Sequence, residues 1–106
     1  MVKRFEVYWV DLNPTLGSEI NKIRPAVIIS PDCVHNNLRT VIIAPLTSTI
    51  KEYPTRVELF FKGKNASIAL DQLRCIDKQR LKGKMGKLQV KAIHSEISKV
   101  LTEMFE

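Results

Sequence analysis

The chain is poor in the residues that metal and redox chemistry demand. Its 106 residues include two cysteines, Cys33 and Cys75, and two histidines, His35 and His94. The cysteines form neither a C-x-x-C pair nor a metal-ligand spacing. Cys75 lies in an apolar run and reads as a buried, reduced thiol, which fits a reducing compartment. His35 reads as a loop residue and His94 as a residue of a C-terminal helix. Each is expected at the surface, not as half of an acid–base pair. With no cluster of carboxylates or imidazoles, no metal and no cofactor are expected. A P-loop, a dinucleotide fingerprint and a His-x-Glu motif with paired cysteines are all missing. Apolar runs such as Ala26 to Ile29 are far shorter than a bilayer span. Met1 to Phe5 has no apolar signal core behind its charges. A soluble, cytoplasmic protein with no membrane partner is expected.

What is present is a single domain's worth of chain, residues 1–106. A hydrophobic fraction of 44% is enough to fold. The formal charge is +6, and a basic surface concentrates polyanions, of which nucleic acid is the commonest in a cell.

Residues 5–12 read as a strand with Phe5, Val7 and Trp9 on one face and Glu6, Tyr8, Val10 and Leu12 on the other. Apolar residues on both faces suit a two-sided sheet. Residues 13–24 read as a polar loop, 25–30 and 40–46 as β-branched strands, and 31–39 as a loop. Pro45 suggests an edge or a bulge. Residues 55–61 alternate, Gly63-Lys64-Asn65 reads as a turn, and 67–70 and 73–76 as short strands. Residues 78–88, basic and Gly-containing, read as a loop with a helical turn. Val90, Ile93, Ile97, Val100, Leu101 and Met104 recur at helical spacing. Short strands plus a terminal helix predict a mainly β fold, a small, partly open barrel with helices packed on it.

Three polar segments stand out. In Asn13 to Pro25, Glu19, Lys22 and Arg24 fall within six residues. Arg24 precedes a proline, which holds it extended, and its guanidinium can fork onto a phosphate. A local Glu19–Arg24 salt bridge is the competing reading. In Pro45-Leu46-Thr47-Ser48-Thr49, hydroxyls at a strand end can donate to phosphate or make local turns. Between Lys78 and Lys91 lie Lys78, Arg80, Lys82, Lys84, Lys87 and Lys91 with no acidic residue. That run is either a solvated face or a patch for RNA backbone or an acidic partner.

Together these segments resemble the MazF/PemK toxin family. Tyr8-Trp9-Val10-Asp11-Leu12-Asn13-Pro14-Thr15-x-Gly17-Ser18-Glu19, followed by Arg24 to Ser30, is similar to its opening signature. Pro45-Leu46-Thr47-Ser48 is similar to its second block, and Leu70 to Leu81 to its third. The resemblance implies an SH3-like β-barrel of the CcdB/PemK type, a homodimer, and sequence-specific cleavage of single-stranded RNA. It also implies a MazE-like antitoxin whose acidic C-terminal segment covers the site. By resemblance Arg24 and Thr47 are catalytic, with Glu19 as loop glutamate. Asn13, Thr15, Lys22, Ser48, Asp71, Gln72, Lys78 and Arg80 are expected to contact RNA. Members often carry glycine where this chain has Lys22. Some pair an arginine with an aspartate in the third block; here the aspartate is Asp71, but the arginine's position is Ala69.

The implied chemistry is attack of a ribose 2′-hydroxyl on the adjacent phosphate, which needs no metal-activated water. Arginine is a poor base, so Glu19 is the easier proton acceptor. Base specificity is expected in loops 13–24 and 49–55. Two other readings remain: a non-catalytic toxin of this fold that poisons a topoisomerase, which would not need Arg24 with Thr47, and an RNA-binding barrel without turnover.

Overall fold

The computed structural model describes residues 1–50 and 52–106; Lys51, in the loop read as a specificity element, lies outside the described residues. The elements in order are β1 (Glu6–Asp11), β2 (Ile23–Ile28), α1 (Asp32–His35), β3 (Thr40–Thr47), β4 (Arg56–Phe61), β5 (Lys64–Ala69), β6 (Arg74–Asp77), β7 (Leu81–Lys87) and α2 (Lys91–Met104). The sheet runs β4-β5-β3-β2-β1-β7, with β6 also on β3. It is a curled half-barrel with α2 against it, the mainly β fold expected.

The sheet curls at β3. One edge of β3 pairs with β2 through Ile43, Ala44 and Pro45. Its other edge takes β6 at residues 40–43 and β5 at Leu46 and Thr47. Pro45 is therefore neither on an outer edge nor solvent-exposed: it is buried within a central strand. It falls between the residues paired to β6 and those paired to β5, where a missing N–H costs the ladder least.

The two-sided pattern of β1 is real. Val7 joins Val27, Ala44, Leu46, Val57, Ile68, Ile97 and Val100 in one core, covered by α2. Val10 and Leu12 join Ala26, Ile28, Val41, Ile43 and Ile76 in a second. In α2, Ile97 and Val100 are buried and Ile93, Leu101 and Met104 pack beside them.

Several local expectations are corrected. Residues 81–87 form a full strand on β1, not a loop. Two glycines lower its strand propensity, yet Leu81, Gly83 and Met85 alternate with Lys82 and Lys84. The hairpin turn after β4 is Lys62-Gly63, with φ of 53° and 79°. Two left-handed residues in a two-residue loop match the twist of the flanking strands, which leaves Lys64 and Asn65 in β5. β2 starts at Ile23, so Arg24 is inside the strand. His35 is not a surface residue: it is 1% exposed, on α1. Its Nδ1 faces the Ser30 hydroxyl at 2.9 Å and its Nε2 the Val2 carbonyl at 2.9 Å. Because Ser30 Oγ accepts from Ile42 N, its own proton is available to Nδ1, and Nε2–H then donates to Val2 O. Cys75 is exposed, as is Cys33.

One ion pair ties β1 to β7. Glu6, 3% exposed, meets Lys84 Nζ and accepts from Lys3 N at 2.7 Å. Burial pushes its carboxyl up, but the bonds from Lys84 and Lys3 outweigh this and hold it below the usual carboxylate value. A lowered folded-state value stabilises above the unfolded pKa and is lost as pH falls through the folded one. Glu6→Gln should thus cost about 1–2 kcal/mol at pH 7. The difference should shrink towards zero in acid, measured by urea unfolding of both proteins across the carboxylate range.

Candidate active site

The start of β2 and the end of β3 meet at one end of the sheet. Their ladder runs Ile28↔Ile43, Val27↔Ala44, Ala26↔Pro45. Carried two residues further, that register sets Arg24 opposite Thr47, and opposite residues share a sheet face. On the far side of β3, Thr47 is paired with Ser67. Both Arg24 and Thr47 are half-buried and line one cavity of about 370 Å³. Arg24 Nε donates to Asn21 O at 2.9 Å. Its two terminal amino groups have no hydrogen-bond partner among the described residues, so the fork is held at its base and open at its tip. Thr47 Oγ1 accepts from Thr49 N at 3.1 Å, which leaves the hydroxyl proton to donate elsewhere. Ser48 lines the same cavity, as do Lys62, Lys64 and Asn65 of the β4–β5 hairpin and the half-exposed Trp9. No aspartate, glutamate or histidine appears among the described residues lining it.

Glu19 is not brought to this cavity. It lines a neighbouring one of about 620 Å³ with Thr15, Asp71 and Gln72. Its Oε1 accepts from Leu16 N at 2.6 Å, closing its own loop, and no Glu19–Arg24 ion pair forms among the described residues. The competing salt-bridge reading is thus not met, and the Glu19 carboxylate clasps its own loop.

Three of the other expected RNA contacts, Asn13, Gln72 and Arg80, are occupied in holding that loop, and Asp71 and Lys78 are bound elsewhere. Asn13 Oδ1 accepts from Lys22 N at 3.2 Å, Gln72 Oε1 from Ile20 N at 2.7 Å, and Arg80 donates to the carbonyls of Asp11 and Asn13. Arg74 Nη1 adds a bond to Leu12 O at 2.8 Å. Lys78 Nζ donates to His35 O at 2.6 Å. Lys22 has φ of 69°, a conformation glycine adopts without strain, which accounts for the glycine common there in the family it resembles. Asp71 receives Arg56 through Nε at 2.7 Å and Nη2 at 3.2 Å, plus the Thr55 hydroxyl at 3.1 Å. Burial raises this carboxyl, and these bonds lower it further, to a value below normal. Arg56 stands opposite Ala69 in the ladder, so the guanidinium missing at position 69 comes from the adjacent strand.

Trp9, Lys62, Lys64 and Asn65 escaped the sequence reading. The signal for the last three was a glycine turn flanked by cations, which only the β4–β5 register carries to the cavity. Among the described residues no group of three or more His, Cys, Asp or Glu side chains is placed to hold a metal ion.

A curled half-barrel with a cationic cavity at the β2–β3 end defines the class. The chain belongs to the PemK-like, MazF-like toxin family of type II toxin–antitoxin systems, whose model matches residues 3–105. Among solved structures, MazF from Deinococcus radiodurans aligns with a TM-score of 0.85 at 23% identity, over 97% of this chain and 94% of that one. An endoribonuclease in complex with its cognate antitoxin, from a Mycobacterial species, aligns at 0.81 and 21% identity, over 97% and 93%. A MazE–MazF complex from D. radiodurans aligns at 0.79 and 23%, over 97% and 94%. These likenesses show the shared fold.

Proposed function

We propose that this toxin is a metal-independent endoribonuclease that cuts single-stranded RNA. The observation that carries the reading is the shared cavity of Arg24 and Thr47, which brings together an open guanidinium fork and a free hydroxyl proton. In the proposed step the ribose O2′ gives up its proton to a solvent water, since no carboxylate or imidazole lines the cavity among the described residues, and attacks the adjacent phosphorus. The P–O5′ bond breaks and O5′ takes up a proton, leaving a 2′,3′-cyclic phosphate and a 5′-hydroxyl. Arg24 and Thr47 hold the phosphate oxygens and absorb the charge that develops on them. The Lys62 and Lys64 ammonium groups at the rim can supply the leaving-group proton. The cut requires a 2′-hydroxyl, so DNA is spared.

The test is a long RNA incubated with the protein in EDTA, with the 5′-ends mapped. Cleavage at a fixed short motif with 5′-hydroxyl ends is expected. Arg24→Ala and Thr47→Ala should each lower the rate by about 10²–10³-fold, as for loss of a preorganised transition-state donor, with unchanged unfolding curves. A gel shift of the RNA with no product at any enzyme concentration would instead make the protein a binder.

Glu19 is assigned to positioning. Gln in its place keeps an oxygen acceptor for Leu16 N–H, so Glu19→Gln should lose less than about tenfold in rate, against the roughly 10²–10⁴-fold expected for removal of a general base. Glu19→Ala should lose more than Glu19→Gln. Equal, large losses in both variants with a flattened pH profile would restore Glu19 as the base.

The regulation and assembly proposed are those of a cytoplasmic toxin. A cavity whose charged lining residues, among those described, are all cations, in a chain of net charge +6, suits a MazE-like antitoxin's acidic segment. A homodimer would cover Val34 on α1, Leu38 just beyond it and Ile42 on β3, which are 45%, 51% and 36% exposed and line one shallow surface together. Leu38→Asp should convert the dimer to a monomer in light scattering.

A further inference from the structure

We propose that the Arg24–Thr47 cavity is also a nucleobase subsite, with Trp9 as its stacking surface and Asn65 as the group that reads the base edge. This rests on the RNA reading above and adds to it which residues select the sequence.

The first observation is an uncovered indole. Trp9 is 42% exposed, although its neighbours on the same face of β1, Phe5 and Val7, pack into the core. Its cross-strand partners explain why. Trp9 lies opposite Pro25 on β2 and Gly83 on β7, and neither residue has a side chain able to cover an indole. A Cβ placed on Gly83 would meet nothing within 4 Å. The row Gly83–Trp9–Pro25 leaves the ring facing open space.

The second observation is the chemistry of the cavity. Leu46, Phe61 and Met85 line it along with the indole and Pro25, while Lys62, Lys64 and Asn65 stand exposed on the hairpin. A site for phosphate alone requires cations and donors, and has no use for an aromatic stacking face. A nucleotide presents both an anion and a flat, apolar-faced ring. Aromatic stacking on bases contributes to single-strand binding whatever the base. Selection then needs a group with a directional edge. Asn65 offers an amide donor and a carbonyl acceptor side by side, the pair that matches a base edge. The phosphate-holding side chains proposed above, Arg24 and Thr47, share this cavity, so the base concerned is next to the cut.

The chain has one tryptophan and two tyrosines, so emission excited beyond the tyrosine absorption band reports this cavity alone. Octamers of 2′-deoxynucleotides, which lack the attacking hydroxyl, serve as uncleaved probes, with abasic octamers of equal charge as controls. Base-bearing strands should quench the emission, and abasic strands should quench it less than about a tenth as much. By a labelled-strand assay, Trp9→Leu should weaken binding of base-bearing strands roughly 5- to 100-fold, the range set by stacking, and Trp9→Phe should recover most of it. Asn65→Ala should bring the affinities for homopolymers of the four bases closer to one another. Equal quenching by abasic strands, or a Trp9→Leu protein that binds as tightly as the parent, would overturn the subsite. RNA cleavage in EDTA by the parent protein is scored separately. Cleavage with the overturning binding pattern removes only the subsite, and base-dependent quenching without cleavage removes only the nuclease reading.

Discussion

Everything at the site depends on the register between β2 and β3. With side chains alternating from face to face, a slip of one residue would put Arg24 and Thr47 on opposite faces of the sheet. Three features pin the register. Ala26, Ile28 and Ile43 are committed to one core, and Val27 and Ala44 to the other, so a slip would exchange residues between two cores that differ in size and cover. Pro45 fits only where β3 changes partners. The bend at that handover also brings β5, and with it the Lys62-Gly63 turn, round to the cavity. A single long strand therefore brings Thr47 to Arg24 and delivers the third wall.

The loop between β1 and β2 owes its shape to polar bonds, with little apolar burial. Arg74 and Arg80 bind carbonyls at its entrance, Gln72 binds Ile20 N in its middle, Asn13 and Lys22 close it, and Glu19 clasps its tip. Each anchor outside the loop comes from β6 or the segments beside it, so the residues most like the family's third block act here on the shape of its first. Side chains engaged this way cannot also be free to bind RNA. The β4–β5 hairpin, by contrast, carries the exposed cations Lys62 and Lys64, held by no ion pair among the described residues.

How much of this was legible in the sequence follows from the range of each interaction. β1, β3 and α2 could be read because their apolar periodicity is local. Arg24 and Thr47 were identified by family resemblance, and their meeting followed from antiparallel pairing of adjacent strands. β7 was missed because Gly83 and Gly86 obscure its alternation; it exists because β1 offers an edge. His35 was misjudged because its burial is decided by Ser30 and by Val2, 33 residues away. Cys75 was misjudged because an apolar run on a two-sided strand does not say which face stays covered. The run from Lys78 to Lys91 looked like a patch, yet Lys78, Arg80 and Lys84 are bound to His35, to the loop carbonyls and to Glu6. A charge count along a chain cannot separate cations that face water from those that staple strands.

The distribution of sign within the cavity links catalysis to control. Described residues lining it bring Arg24, Lys62 and Lys64 with no carboxylate to balance them, so the empty site carries uncompensated positive charge in a partly enclosed space. Such a space strengthens attraction for any anion that enters. That favours a phosphodiester whose charge grows during the reaction, and it favours a carboxylate-rich peptide by the same physics. A peptide brings fixed charge without a phosphorus to attack, so it occupies the site without being consumed. The same lack of internal counter-charge that suits the site to stabilising a pentavalent phosphate also makes it readily blocked, and both effects should weaken together as salt screens the cavity. Attraction for a phosphodiester and blockage by an acidic peptide therefore have one physical origin in how the cavity is built.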